Sequence, residues 1–251
     1  MPLDNCLLSV TSHYNIGGGL GPLESIGKGA TDAKQIFSFA TNILAQAKVV
    51  TVNSKRLVEL LSPTLPDVLY MPNGVDTDFF SPAPPRKWNP KKIRIGWVGV
   101  KKAAKNYELI ETMKPRFENL GVEFCEIAVQ KGVGKVASHQ EVRSFYHGLD
   151  FYLCSSWHEG TPNPCLEAAS CSVPLITTRV GNMPELIKPG INGYFIDPTS
   201  ESLEQVLSQV RELSANDMKS MRQTIRGDIE AEWDWSNRMP AYHAAFEQLL
   251  A

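Results

Sequence analysis

The 251-residue sequence contains no apolar run long enough to span a bilayer, and its start, Met1-Pro2-Leu3-Asp4-Asn5, has no basic segment leading into a long apolar stretch. The expected location is therefore the cytoplasm, free or peripheral at the membrane. Cysteine is sparse and odd in number: Cys6, Cys125, Cys154, Cys165 and Cys171 include no Cys-x-x-Cys pair. Neither a disulfide framework nor a zinc site is indicated, so the thiols are expected to be reduced and mostly buried. No block of basic residues occurs, and 25 Lys+Arg against 27 Asp+Glu leave a net charge of -2, which excludes nucleic acid as an expected partner. No internal repeat or low-complexity tract is visible. The length suffices for a sizeable core in one or two domains, as in a soluble enzyme.

Proline is unevenly spread. The stretch Ser81-Pro82-Ala83-Pro84-Pro85-Arg86-Lys87-Trp88-Asn89-Pro90 can continue neither a helix nor an inner strand, so residues 81–92 read as a linker or rigid loop. Before it, Leu7–Thr11 and Val49–Val52 read as strands with a helix near Ala33–Ala45 between them. After it, strand-like runs at Ile93–Val98, Val122–Val129, Asp150–Cys154, Pro174–Thr177 and Gly193–Ile196 alternate with helices at Tyr107–Asn119, Gln140–His147, Pro164–Ser170, Pro184–Ile187 and Ser202–Leu213. Such alternation predicts an α/β fold, a parallel sheet with helices on both faces.

The segment Ser155-Ser156-Trp157-His158-Glu159-Gly160-Thr161-Pro162-Asn163-Pro164-Cys165-Leu166-Glu167 places two carboxylates at an E-x7-E spacing across a strand-to-helix junction. Pro164 sits where a first-turn helix proline is tolerated, so Glu159 lies in the loop and Glu167 in the first helical turns. Free amides at a helix start attract phosphate, while a carboxylate there can accept from a ribose diol, which together suit a nucleotide sugar.

With its neighbours this segment resembles the group 1 family of retaining nucleotide-sugar glycosyltransferases, whose two-Rossmann architecture is called GT-B. The resemblance rests on order: Val49-Val50-Thr51-Val52-Asn53-Ser54, Pro72-Asn73-Gly74-Val75-Asp76, Gly96-Trp97-Val98-Gly99 with Lys105-Asn106, the two glutamates, Val173-Pro174-Leu175-Ile176-Thr177-Thr178, and Asn192-Gly193-Tyr194. It covers roughly residues 48 to 250. It implies that Glu159 faces the donor sugar, that Glu167 binds the nucleotide ribose, and that Gly160, Thr161, Asn163, Cys165 and Leu166 between them contact the donor. The family's loop after the first strand of this domain carries an arginine directly after a glycine and a lysine six positions after it, both on the donor diphosphate. Lys105 matches the lysine, with Gly99 as the glycine, but Val100 stands at the arginine position; Lys101 or Lys102 is the expected substitute, without the bidentate fork of a guanidinium. His13 resembles a family histidine that faces the donor across the interdomain cleft. The resemblance thus assigns Glu159, Lys105 and His13 to catalysis, with no metal and no cofactor beyond the nucleotide-sugar donor.

The family also implies domains at 1–80 (a partial N-terminal, acceptor-side domain), 93–235 (the nucleotide-sugar domain) and 236–251 (a helix packing back on the N-terminal part). A complete member has a full N-terminal Rossmann domain, whereas about two strands precede Val52 here, and the C-terminal sheet is one strand-helix unit short. The expected activity is sugar transfer to an unknown saccharide, lipid or protein acceptor; the alternative is a donor-binding subunit or fragment inactive until a partner chain completes the N-terminal domain.

Four motifs receive plainer readings. Gly17-Gly18-Gly19-Leu20-Gly21 lacks the strand-helix context of a phosphate loop and reads as flexible. Asp76-Thr77-Asp78 spells a metal-binding string of another glycosyltransferase fold, but its setting predicts turn and cap residues. Gly181 is expected to let backbone approach the ligand, with Glu185 structural at a helix start. After Trp233-Asp234-Trp235, Ser236 is expected to cap a final helix patterned through Tyr242, Phe246, Leu249 and Leu250, whose aromatics join the core rather than contact a ligand.

Overall fold

The computed structural model describes residues 3–10, 33–129 and 137–250, and they form two parallel sheets. The first has the order β1-β2-β3, built from β1 (Leu3–Val10), β2 (Ala47–Val52) and β3 (Leu69–Tyr70), with α1 (Ala33–Asn42) and α2 (Lys55–Leu61) in the connections. The second contains β4 (Ile93–Val100), β5 (Val122–Val129), β6 (Phe151–Cys154), β7 (Leu175–Thr177) and β8 (Gly193–Phe195). Around it run α3 (Tyr107–Phe117), α4 (His139–His147), α5 (Asn163–Ser170), α6 (Met183–Leu186), α7 (Ser200–Arg211) and α8 (Ala215–Asp228). Every residue of β6 is buried, the pattern of an inner parallel strand covered on both faces. The cover on one face centres on Tyr146, Leu166, Ala169, Met183 and Trp233, and on the other on Ile110, Met113, Leu203, Leu207 and Met221.

The order of the second sheet is β5-β4-β6-β7-β8. From β4 the chain first winds to β5 on one side and then crosses to β6 on the other, so winding reverses between β4 and β6. Outside the carboxyl ends of these two strands lies the topological switch point, the usual ligand crevice of an open α/β sheet.

A π-type turn at Ile229–Trp233 leads from α8 into α9 (Trp235–Leu250), which packs back on β1, β2 and β3. The crossing is pinned where Val75 donates to the Trp233 carbonyl at 2.9 Å and Trp235 donates to the Val75 carbonyl at 3.2 Å. Nearby, Arg226 donates to the carbonyls of Thr77, Phe80 and Ser170. No helix among the described residues is long and apolar enough to cross a membrane.

Several local expectations change. Gly99 and Val100 belong to β4 rather than to the loop, because their register with Ala128 and Val129 extends the ladder by two residues. Ser236 does not cap α9: it lies in the first turn and donates through both its amide and its hydroxyl to Asp234 Oδ1, at 2.8 and 2.5 Å. Phe246 and Leu250 are exposed, so this helix buries a narrower stripe than its aromatic content suggests. The helices α2 and α8 and the short β3 were not expected. All five cysteines are free; Cys154, Cys165 and Cys171 are buried, Cys6 and Cys125 half-buried.

Candidate functional site

The loops leaving β4 and β6 meet at the switch point. The first passes Lys101 and Lys102 into a 3-10 turn at Ala103–Lys105 and then Asn106, whose left-handed φ of 47° a short polar side chain tolerates. The second begins at Ser155, whose hydroxyl donates to the carbonyls of Lys105 and Asn106 at 3.0 and 3.3 Å, while the Trp157 amide donates to the Ala104 carbonyl at 2.9 Å. These bonds fix one loop against the other. They bring Lys105 Nζ to 2.5 Å from Glu159 Oε1, and the Ser156 hydroxyl donates to the same oxygen at 2.6 Å. The two side chains are only 20% and 12% exposed. Burial works against the Lys105 ammonium, but the Glu159 carboxylate outweighs it and holds the lysine above its usual pKa.

Glu167 lies on α5, behind this pair, where the Tyr146 hydroxyl donates to its Oε2 at 2.8 Å. Burial pushes the Glu167 carboxyl up, against the pull of the Tyr146 bond and the His139 charge. The first turn of α5 is less open than its sequence suggested. The Asn163 amide donates to the Thr161 carbonyl at 2.9 Å, the Cys165 amide donates to the Pro162 carbonyl at 2.8 Å, and Pro164 has no N–H. The side chains of Cys165 and Leu166 are buried, Cys165 against Cys154, so only their main chain is near the crevice.

Residues from the first sheet close over the same loop. Asn53, directly after β2, donates to the Thr161 hydroxyl at 3.3 Å, and Asn182 donates to it at 3.0 Å. Asn73 donates to Asn163 Oδ1 at 3.1 Å. Glu185 accepts from the Lys55 amide at 2.8 Å and from the Tyr70 hydroxyl, so it joins the two sheets. Gly181, at φ 52°, lets backbone approach backbone: a Cβ there would lie 1.9 Å from the Gly160 carbonyl oxygen. That contact replaces the expected approach to a ligand, and it sets the loop that carries Glu159.

The structure therefore brings together Lys105, Glu159, Gly160, Thr161 and Asn163, with Glu167 behind them. Lys101 is engaged elsewhere, 3.3 Å from Glu126 and 4.4 Å from the centre of the Tyr107 ring. Gly99 lies in the strand below the loop. Asp76 Oδ1 accepts from the Phe79 amide at 2.8 Å, closing a turn. His13 and Gly17–Gly21 lie outside the described residues. Tyr146, Ser156, Asn53, Asn73 and Asn182 were not singled out from the sequence; Ser156, three residues before Glu159 in a tight loop, was the most accessible of them.

This arrangement on a GT-B-like fold is accompanied by a direct sequence match. Residues 89–216, just over half the chain, match the family described as Glycosyl transferases group 1, and the chain belongs to that family. It is 29% identical over 167 residues to the phosphatidylinositol N-acetylglucosaminyltransferase GPI3 subunit of Saccharomyces cerevisiae, covering 57% of this chain and 36% of that protein. It is also 29% identical over 99 residues to spore coat protein SA of Bacillus subtilis, covering 38% and 26%. The match thus spans about a quarter to a third of the length of these relatives. In fold, the chain resembles sucrose-phosphate synthase from Thermosynechococcus elongatus (TM-score 0.73, 15% identity, 97% of this chain and 67% of that one). It likewise resembles Anabaena HepE in complex with UDP (TM-score 0.67, 12% identity, 96% and 72%).

Proposed function

We propose that this chain binds a nucleoside-diphosphate sugar at the β4/β6 switch point and transfers the sugar to an acceptor with retention of anomeric configuration. The observation that carries the reading is the Lys105–Glu159 pair, which joins opposite charges from the two loops flanking the crevice, with Glu167 behind it. In this reading the donor diphosphate takes the Lys105 ammonium from Glu159, and the α5 dipole adds to the stabilisation of the leaving group. Glu159, released by the ammonium and still held at Oε1 by the Ser156 hydroxyl, orients the sugar. Glu167 accepts from the ribose diol. Because two amides of the first α5 turn are already engaged, the side-chain cation carries more of the diphosphate charge than helix amides do. No divalent ion is required.

A second reading, a donor-binding half that needs a partner to supply the acceptor site, is favoured by the three-stranded extent of the first sheet among the described residues. Isothermal titration against a panel of nucleotide sugars, with donor hydrolysis and transfer assayed in parallel, separates the two. Binding with turnover supports the enzyme. Binding without hydrolysis or transfer supports the subunit, and no binding to any donor refutes both.

A further inference from the structure

A cavity of about 390 Å³ opens at the opposite end of the second sheet, below the amino ends of β6 and β7. Its walls come from the proline-rich linker, the end of α4, the stretch before β7 and the first turns of α8. The volume lies within the range of small-molecule sites. Trp88 forms one fixed wall: its indole N–H donates to the Leu213 carbonyl at 2.8 Å and its ring meets Phe151 edge-on. Val173 and Met218 add apolar surface.

The formally charged lining is of one sign. Arg86, Lys219 and Arg222 line the cavity, and among the described lining residues there is no carboxylate. The nearest acid bound to them is Asp150, buried behind the arginines, which accepts from one terminal nitrogen of Arg86 at 2.9 Å and one of Arg222 at 3.0 Å. Asp150 Oδ2 also accepts from the Arg94 amide at 2.9 Å. Three cations against this one carboxylate leave two positive charges, with guanidinium N–H groups beyond those that Asp150 uses. Asp150 also fixes both forks in place, which is the preorganisation that anion recognition needs.

We propose that this cavity is a second ligand site, separate from the donor crevice, for a small organic anion: its carboxylate or phosphate head on Arg86, Arg222 and Lys219, its apolar body against Trp88, Val173 and Met218. The proposal does not depend on the donor reading, because the two sites lie at opposite ends of the strands and share no charged residue, although Tyr146, whose hydroxyl donates to Glu167, also lines this cavity.

The test uses 8-anilinonaphthalene-1-sulfonate as the anionic probe and N-phenyl-1-naphthylamine as its neutral counterpart, followed by fluorescence on the full chain. Saturable binding of one sulfonate probe per chain is expected, with the neutral analogue much weaker. Ala83→Trp, which places a ring inside the cavity, should abolish binding, and the rim reversal Lys219→Glu should weaken it by roughly tenfold. Far-UV circular dichroism and the urea midpoint establish that each variant folds; should Ala83→Trp fail to fold, Lys219→Glu and the neutral probe decide. Unchanged affinity in folded Lys219→Glu, unchanged affinity in folded Ala83→Trp, or equal binding of the neutral probe each overturns the proposal.

Discussion

Tyr146→Phe removes one oxygen and tests the Glu167 site through its partner rather than through the carboxylate itself. The ring remains, so its edge-on packing against Tyr152 and its contacts with Phe80 and Phe145 are kept. What is lost is the 2.8 Å bond to Glu167 Oε2, donated by a side chain with 0% exposure. A hydrogen bond to a charged group contributes about 1.5–3 kcal/mol, and the upper part of that range applies where no water can replace the donor. The sign follows from Glu167. Its folded pKa already lies above the ordinary value because burial outweighs the Tyr146 bond and the His139 charge. Losing the bond raises it further, so the mutant should be least stable relative to wild type at pH above both folded values, and the gap should close as pH falls through them. Urea unfolding across a pH series that runs upward from the ordinary carboxylate range measures the gap. Nucleoside-diphosphate titration over the same range should show binding lost at a higher pH in the mutant. A stability difference independent of pH, together with superimposable binding profiles, refutes the claim that Tyr146 supports an ionised Glu167.

Lys105→Ala should weaken nucleoside-diphosphate binding by at least about tenfold and monophosphate binding much less, as measured by calorimetry, while Val100→Arg should tighten diphosphate binding by about 1 kcal/mol. Equal losses for the two ligands would move Lys105 off the diphosphate. Donor binding should persist in excess chelator; abolition by chelator and recovery with a divalent ion would return attention to Asp76 and Asp78. Gly181→Ala should destabilise the fold by about 2–4 kcal/mol in urea unfolding, since it combines a left-handed φ with a Cβ against the Gly160 carbonyl. Asp234 has its pKa lowered to about 2, because bonds from Ser236 and Thr77 outweigh desolvation. The stability it contributes should be full above its unfolded value of about 3.9 and lost as pH falls through about 2, an acid sensitivity that Asp234→Ala removes.

The parallel strands of the second sheet were legible because burial on both faces leaves unbroken apolar runs such as Phe151–Cys154, bounded by turn residues. The helix α8 was not, because its buried stripe is only Met218, Met221 and Ile225 among polar neighbours, and its capping box Ser214–Asp217 uses an aspartate where a glutamate is the stronger signal. The glutamates, Lys105 and the residues between them could be read from spacing and motif order, since they fall on two short loops and the opening turns of the helix that follows the second. Tyr146, Asn53 and Asn73 reach the site from 21, 108 and 90 residues away in the chain from their partners, and such convergence exists only after folding. The engaged amides of Asn163 and Cys165 were equally hidden: residue types show where a helix starts, not which carbonyl its first N–H groups meet.

The reversal of winding between β4 and β6 makes the second sheet two wings, one carrying β5 and α3 and the other β7 and β8, and the Lys105–Glu159 pair is a side-chain staple across the seam. A ligand held by both loops is therefore bound only while both wings are folded against each other. By mass action its binding energy is shared by every opening that parts them. Amide exchange should slow on bound ligand in Val122–Val129 and Leu175–Thr177 alike, although neither strand touches the crevice, while openings confined to the outer turns of α9 keep their unliganded rates.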